Sequence, residues 1–360
     1  MFVDPTNVAY YLAERRLLSL NSVVDGDFTV VGQSSRNLNF KVAREHSPGF
    51  FIKQVRERTP QMTLTFAREA ACYKLAREHK ALAAMRPLMP DFLSYDERNY
   101  VLVLEALDGE SLWEHHMALG SFPVDLAEKQ GEKLGTYHGG VKITEISDED
   151  LKIFPRQIPW ILTLHESADI QKMSGGNAQL LSILREYPDF TRALGAIKRA
   201  WRFRVLTHGD IKWPNLMLSS GDIKVVDWEM ADIGDDCWDA GAILQSYLTF
   251  WIFSLPLGPG VSIPEAMAKS KHDEEELKTA MSAFWESYAT HRKLSFKNSR
   301  RLRERAMSCA AARMIQTAFE TANKAPQLPP QSALALQMSL NILRDPAQAV
   351  RDFLNVGGQR

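Results

Sequence analysis

The sequence predicts an α+β protein of two lobes. The first is a small N-terminal antiparallel β-sheet lobe with one long helix; the second is larger, mainly helical and carries an embedded β-hairpin. Three observations predict this. Apolar and polar residues alternate through "DFTVVGQ", "NLNFKVA" and "GFFIKQV" between residues 27 and 58, the period of half-buried strands. The spacing turns helical over 62–79, "MTLTFAREAACYKLAREH", with Phe66, Ala70, Tyr73 and Arg77 near one another on one side. Beyond about residue 105 helical patterns dominate, interrupted by "NLMLSSGDIKVVDW".

Taken in order, residues 5–20 ("PTNVAYYLAERRLLSL") read as a short helix. "GQSS" and "REHSPG" are the turns between three strands, and "DFLSYDERNYVLVLEAL" (91–107) returns to strands with a turn at "DER". The Ser219-Ser220-Gly221-Asp222 turn closes the later hairpin. "ILQSYLTFWIFSLPLG" (243–258) is the most apolar run. Gln245, Ser246 and Thr249 interrupt it and Pro256 ends it, so it reads as a buried helix and not a membrane span. The expected division is a nucleotide-binding lobe over 1–105 and a helical lobe over 106–360 that holds the loop 207–216 and the segment 225–229.

The bulk properties exclude several classes. With 45% hydrophobic and 24% charged residues the chain is an ordinary globular protein, and a net charge of −1 gives no field that would draw it to nucleic acid or a membrane. Cys72, Cys237 and Cys309 are far apart and lack metal-ligand spacing, and the N-terminal segment lacks a basic stretch followed by an apolar one. A reducing, cytoplasmic setting is the expectation. The acidic runs at 147–151, 232–236 and 272–276 read equally as an acidic lining for a polycationic acceptor or as solvated turns and helix N-termini, and the basic run 291–305 reads as a solvated helix face rather than an anion-binding patch.

The chemistry concentrates in "THGDIKWPN" (207–215) and "VVDWE" (225–229). Asp210, Asn215 and Asp227 bring three oxygen-bearing side chains to short polar segments, which calls for a cation or a reacting proton. Phosphoryl transfer uses both: hard oxygen ligands for a cation on the phosphates, a fixed positive charge, and a carboxylate to orient or accept the hydroxyl proton. Asp210 is the candidate base, and Asn215 and Asp227 are the candidate metal ligands. Lys53 sits near the end of the strand "FFIK", and Glu69 on the following helix is placed to pair with it. The turn "VGQSSRN" offers backbone amides at Gly32, Ser34 and Ser35 for phosphates. Capping of loops by the Asx side chains is the competing reading. A metal site of the kind that uses His-x-Asp in hydrolases is a second, and no further His/Asp cluster supports it.

"HGDIKWPN" followed by "VVDWE" resembles the aminoglycoside phosphotransferase/choline kinase family, relatives of the protein kinases, which carry H-G-D-x-x-x-x-N and then an apolar strand ending D-W/F-E. "YVLVLEALDGESL" (100–112), "LGTYHGG" (134–140) and "IGDDCWDAGAIL" (233–244) are similar to further elements of that family, over roughly residues 20–250. The resemblance implies a bilobal protein-kinase-like fold and a kinase that uses ATP or GTP with Mg2+. It implies Asp210 as the catalytic base, Asn215 and Asp227 as magnesium ligands, Lys53 on the α/β-phosphates with Glu69 orienting it, and backbone groups of Glu105 to Leu107 at the adenine edge. His208 and Asp239 would brace the catalytic loop. Lys212, as in protein kinases, would contact the transferred phosphate.

Asp239 follows Asp227 so closely that no long activation segment fits between them. The expected acceptor is therefore the hydroxyl of a small molecule: an antibiotic of aminoglycoside type, an amino alcohol, a sugar or homoserine. A Ser/Thr kinase of a precursor peptide, as in lanthipeptide biosynthesis, is the alternative, and a nucleotide-binding pseudokinase that regulates a partner is a second one.

Overall fold

A computed structural model describes residues 2–34, 37–166, 170–258 and 260–354. Short helices α1 (Val8–Glu14) and α2 (Leu20–Asp25) lead into strands β1 (Phe28–Ser34), β2 (Leu38–Arg44) and β3 (Phe50–Gln54). Helix α3 (Pro60–Glu78) follows, then β4 (Phe92–Asp96), β5 (Val101–Glu105) and β6 (Gly109–Ser111). Helices α4 (Leu112–Leu119), α5 (Val124–Gly140), α6 (Asp148–Leu151), α7 (Gly175–Glu186) and α8 (Pro188–Ala200) come next. Strands β7 (Val205–Thr207), β8 (Leu216–Ser219), β9 (Asp222–Val225) and β10 (Asp232–Gly234) precede α9 (Asp236–Ser254). The remainder is helical: α10 (Ile263–Ala268), α11 (Glu274–His291), α12 (Phe296–Ala322), α13 (Pro330–Arg344) and α14 (Pro346–Leu354).

The chain forms two compact units. The first comprises Met1–Leu112, Gly140–Phe154 and Asn215–Ala231, and the second Trp113–Gly139, Pro155–Pro214 and Asp232–Arg360. In the first unit five strands form an antiparallel sheet in the order β1-β2-β3-β5-β4. One face is apolar: Val42, Phe50, Ile52, Val101 and Val103 pack with Val8, Tyr11 and Leu12 of α1. The single helix expected over 5–20 is two. Arg16 takes a left-handed conformation (φ 59°), and Ser19 then caps α2 by accepting from the Ser22 N–H. Thr59 caps α3, and Pro60 occupies its first turn, where no N–H is required.

The same unit holds a three-stranded sheet in the order β6-β8-β9. Ser220 (φ 50°) and Gly221 (φ 75°) supply the two left-handed residues that match a tight hairpin to strand twist. At Gly109 a Cβ would lie 1.9 Å from the Leu218 carbonyl oxygen, so β6 approaches β8 only because that position is glycine.

The second unit is built round α9, whose residues 236–252 are all buried. The apolar run of 243–258 is thus a core helix, and none of the described helices is long and apolar enough to cross a membrane. Gly241 admits α12 closely, since a Cβ there would meet the Ala306 carbonyl oxygen at 2.7 Å. Two charged segments that read as solvated are instead paired with each other. Asp235 caps α9 through the Cys237 N–H and binds Arg305, while Asp236, fully buried, binds Arg204 at 2.5 Å and Arg292 at 2.7 Å. Local pattern shows where charge lies along the chain but not which distant charge meets it.

Burial opposes the charge on Asp236, but His138, Arg204 and Arg292 beside it outweigh burial and hold its carboxyl far below the usual carboxylate range. A depressed folded-state pKa contributes stability above the unfolded value, about 3.9, and that contribution is lost as pH falls through and below it. Asp236→Ala, which leaves Arg204 and Arg292 without their shared carboxylate, is expected to cost about 1–3 kcal/mol in urea unfolding at pH 7. The difference from wild type should narrow as the pH drops below about 4; an equal difference at pH 3 and pH 7 would contradict this account.

Candidate active site

In the second unit β7 ends at Thr207 and the chain enters a loop without ladder partners, so its peptide groups need side chains. Asp239, in the first turn of α9 and fully buried, accepts from the His208 N–H at 2.8 Å and the Gly209 N–H at 3.0 Å. The His208 ring turns back and its Nδ1 accepts from the Asp210 N–H at 3.2 Å. His138 Nε2 lies 3.5 Å from the same Asp239 carboxylate. Gly209, at φ 80°, gives the loop the sharp bend it needs. Trp238 Nε1 donates to the Gly209 carbonyl at 3.1 Å.

Asp210 stands on this pinned loop with a cation at each oxygen. Lys212 Nζ is 2.8 Å from Oδ2, and Arg313 of α12 is 3.2 Å from Oδ1. Burial raises the Asp210 carboxyl, but Arg313 and Lys212 outweigh it and keep it below its ordinary range, so it is ionised. Burial lowers Lys212, and Asp210 followed by Glu320 more than reverses that, so the ammonium is held charged.

In the first unit Lys53 is buried with its charge. It lies on β3, on the face opposite Phe50 and Ile52 by strand alternation. Its ammonium is 2.6 Å from Glu69 Oε2 on α3 and 2.5 Å from Asp227 Oδ1. Burial opposes the Lys53 charge, but Glu69 and Asp227 together raise its pKa. Burial lifts Glu69 to about 7 against the pull of Lys53. The β8–β9 register continues past its last pair: Leu216 opposes Val225, and the Val226 N–H donates to the Asn215 carbonyl at 3.0 Å. That register sets Asn215 beside the residue preceding Asp227. Asp227 itself is left-handed (φ 67°), a strained state for a residue with a Cβ, and Trp228, fully buried, anchors the turn by donating to the Val225 carbonyl at 2.9 Å.

The structure therefore gathers Lys53, Glu69 and Asp227, with Asn215 one register step away, in the first unit, and Asp210 with Lys212 in the second. Gly32 and Ser34, read as part of a turn, are instead strand residues of β1 paired with Phe40 and Leu38, and Ser35 lies outside the described residues. The Glu105 N–H donates to the Asp91 carbonyl, the Ala106 N–H to the Gly49 carbonyl, and the Leu107 carbonyl accepts from Lys41 Nζ at 3.1 Å. These contacts occupy the Glu105 N–H and one acceptor position of Leu107. Arg313 has no counterpart in the sequence reading. Its signal is a lone charge within "CAAARMIQ", an otherwise small and apolar helical stretch, which requires a buried partner.

Asn215 and Asp227 offer hard oxygen donors, and the Asp227 carboxylate already pairs with one cation, the Lys53 ammonium. Two such donors suit magnesium, which keeps waters and substrate phosphates in its remaining positions. Among the described residues, the three metal-ligating side chains that do gather tightly are Asp235, Asp236 and Cys237, and arginines take both carboxylates.

A family model described as the phosphotransferase enzyme family matches residues 27–267. No protein of curated function matches the sequence. Among solved structures, an ethanolamine kinase of Plasmodium vivax superposes with a TM-score of 0.59 at 14% identity, covering 94% of this chain and 89% of that one. A choline kinase of Cryptosporidium parvum gives 0.56 at 13% identity, covering 96% of each chain. An aminoglycoside phosphotransferase bound to ADP and hygromycin B gives 0.52 at 12% identity, covering 95% and 99%. At these identities the likeness establishes the fold, which is the bilobal α+β fold the sequence predicts.

Lys53→Met should leave Glu69 and Asp227 without their shared cation and cost about 3–5 kcal/mol in urea unfolding at pH 7. Adding Glu69→Gln should recover part of that loss, with a coupling of at least about 0.5 kcal/mol in the double-mutant cycle. Strictly additive losses would mean that the two side chains do not stabilise each other.

Proposed function

The chain belongs to the phosphotransferase enzyme family, and from that premise we propose that it transfers the γ-phosphoryl group of ATP or GTP, with Mg2+, to a hydroxyl of a small molecule. The observation that carries the reading is Asp210: an ionised carboxylate on a loop pinned by Asp239, with a lysine at its second oxygen. A carboxylate so placed orients an acceptor hydroxyl and takes its proton late, as suits a loose transition state that needs positioning more than strong base. Lys212, about two-fifths exposed, is the cation free to turn from Asp210 toward the charge that develops on the transferred group.

The first unit supplies the nucleotide side. Lys53, held extended by Glu69, presents a fixed charge to the phosphates. Asn215 and Asp227 would hold magnesium. That ion, when bound, neutralises phosphate oxygens and fixes their geometry. Binding it asks Asp227 to share the carboxylate that Lys53 now contacts. The solved relatives include choline and ethanolamine kinases and complexes with ADP and hygromycin B or with GDP and kanamycin, which supports an amine-bearing alcohol as the acceptor.

The deciding experiment is transfer of label from γ-labelled ATP and GTP across a panel of amino alcohols, aminoglycosides, sugars and homoserine. Asp210→Ala should lower turnover by about 10² or more while nucleotide affinity stays near that of wild type. Asp227→Ala should remove the metal-dependent part of nucleotide binding. Label left untouched by wild type across the panel, with nucleotide still bound, would point to a pseudokinase, and transfer to peptides alone would point to a peptide kinase.

A further inference from the structure

We infer that Arg313 of α12 is a positioning residue for phosphoryl transfer: its buried guanidinium fixes one oxygen of the Asp210 carboxylate together with the peptide carbonyls on either side. This rests on the reading of Asp210 given above. Arg313 lies beyond the span of the family match, which ends at residue 267. It is 3% exposed in a helix whose neighbouring residues are mostly small and apolar. Nη1 donates to the Gly209 carbonyl at 3.1 Å, and Nη2 donates to the Ile211 carbonyl at 2.9 Å and to Asp210 Oδ1 at 3.2 Å. The guanidinium also lies over the ring of Trp238, 5.4 Å from its centroid, and Trp238 donates to the same Gly209 carbonyl.

Three acceptors from consecutive residues thus meet one planar fork. A lysine, with a single nitrogen, cannot span them. The two cations at Asp210 differ in kind. The Arg313 side chain is 4% exposed and tied at three points, whereas Lys212 is 39% exposed. One carboxylate oxygen is therefore fixed, and the other faces a cation able to leave. With Arg313 in place, the departure of Lys212 toward the phosphate lets Oδ2 accept from the acceptor hydroxyl while the carboxylate keeps its orientation. Among the groups that face Asp210 are Arg313 from α12 and Lys212 and His208 from its own loop.

Arg313→Lys and Arg313→Met, compared with wild type, test this by steady-state kinetics with the best acceptor of the panel. The carboxyl carbon of Asp210 is followed by 13C NMR in parallel, with Asp210→Asn for assignment. The Met variant should lose about 10²-fold or more in kcat and the Lys variant at least about 10-fold, the scale of a misplaced catalytic group. The nucleotide KM should stay within about 3-fold of wild type, since a misplaced Asp210 leaves uniform nucleotide binding untouched. The acid limb of kcat against pH, and the Asp210 carboxyl titration, should move to higher pH in the Met variant. A kcat within about twofold of wild type in both variants, or a nucleotide KM that rises as much as kcat falls, overturns the inference. Should the Met variant fail to fold, the Lys variant decides on the same criteria. Should wild type phosphorylate nothing, the proposed function fails, and an Asp210 titration unmoved by the Met substitution separately removes Arg313 from its role.

Discussion

A loop that belongs to no helix or sheet must have its buried peptide groups satisfied by side chains, and in the segment around Asp210 one carboxylate, one imidazole, one indole and one guanidinium do this. Asp239 is the foundation. It accepts two successive N–H groups, which sets the direction of the backbone at His208 and Gly209 and leaves the Asp210 N–H for the His208 ring. The position of the Asp210 side chain follows from these bonds. Because Asp239 is in the first turn of α9, a helix buried along nearly its whole length, the loop inherits the rigidity of the core. The Asp210 side chain is thus placed from a helix buried in the core of its unit.

The first unit solves a different problem. A lysine ammonium removed from water is stable only with compensating charge, and Lys53 has two carboxylates within 2.6 Å. One of them, Glu69, belongs to a capped helix and is itself buried. The other, Asp227, stands at a strained turn and is more than a third exposed. The asymmetry is useful to a phosphotransferase. In the proposed function the buried partner would hold the lysine in place, while the exposed one would be available to a metal. The left-handed backbone at Asp227 is maintained by the hairpin register on one side and the buried Trp228 on the other, so the strain sits at the residue proposed to hold that metal.

The parts of this protein that sequence makes legible are those set by local periodicity and covalent spacing. The strands read correctly because one face of the sheet is buried, which imposes alternation, and the hairpin read correctly because Ser220 and Gly221 suit the turn. The Lys53–Glu69 pairing is legible because strand and helix are consecutive. What fails is non-local. The run of apolar residues from Val8 to Leu18 keeps a helical rhythm across Arg16, and rhythm does not reveal that the backbone reverses there. The charged runs at 232–236 and 291–305 look solvated, since nothing local says that Asp236 lies against Arg292. Arg313 is hidden for the same reason, its partners lying a hundred residues upstream.

The missed charge pairings share a direction. Each concerns an arginine of the C-terminal helices, or of the segment between them, reaching a carboxylate at the loop or at the start of α9: Arg292 to Asp236, Arg305 to Asp235, Arg313 to Asp210. The helical tail that carries no family motif therefore supplies the positive charge that the motif-bearing region needs. Asp210, Asp235, Asp236 and Asp239 crowd a small part of the second unit, and carboxylates buried together repel unless cations are interleaved. Guanidinium groups suit this duty, since each offers several donors and stays charged when buried. The acidic loop and the basic helices thus fold as one electrostatic system, in which α12 adds a second, buried cation to the one, Lys212, that the loop around Asp210 supplies from its own sequence.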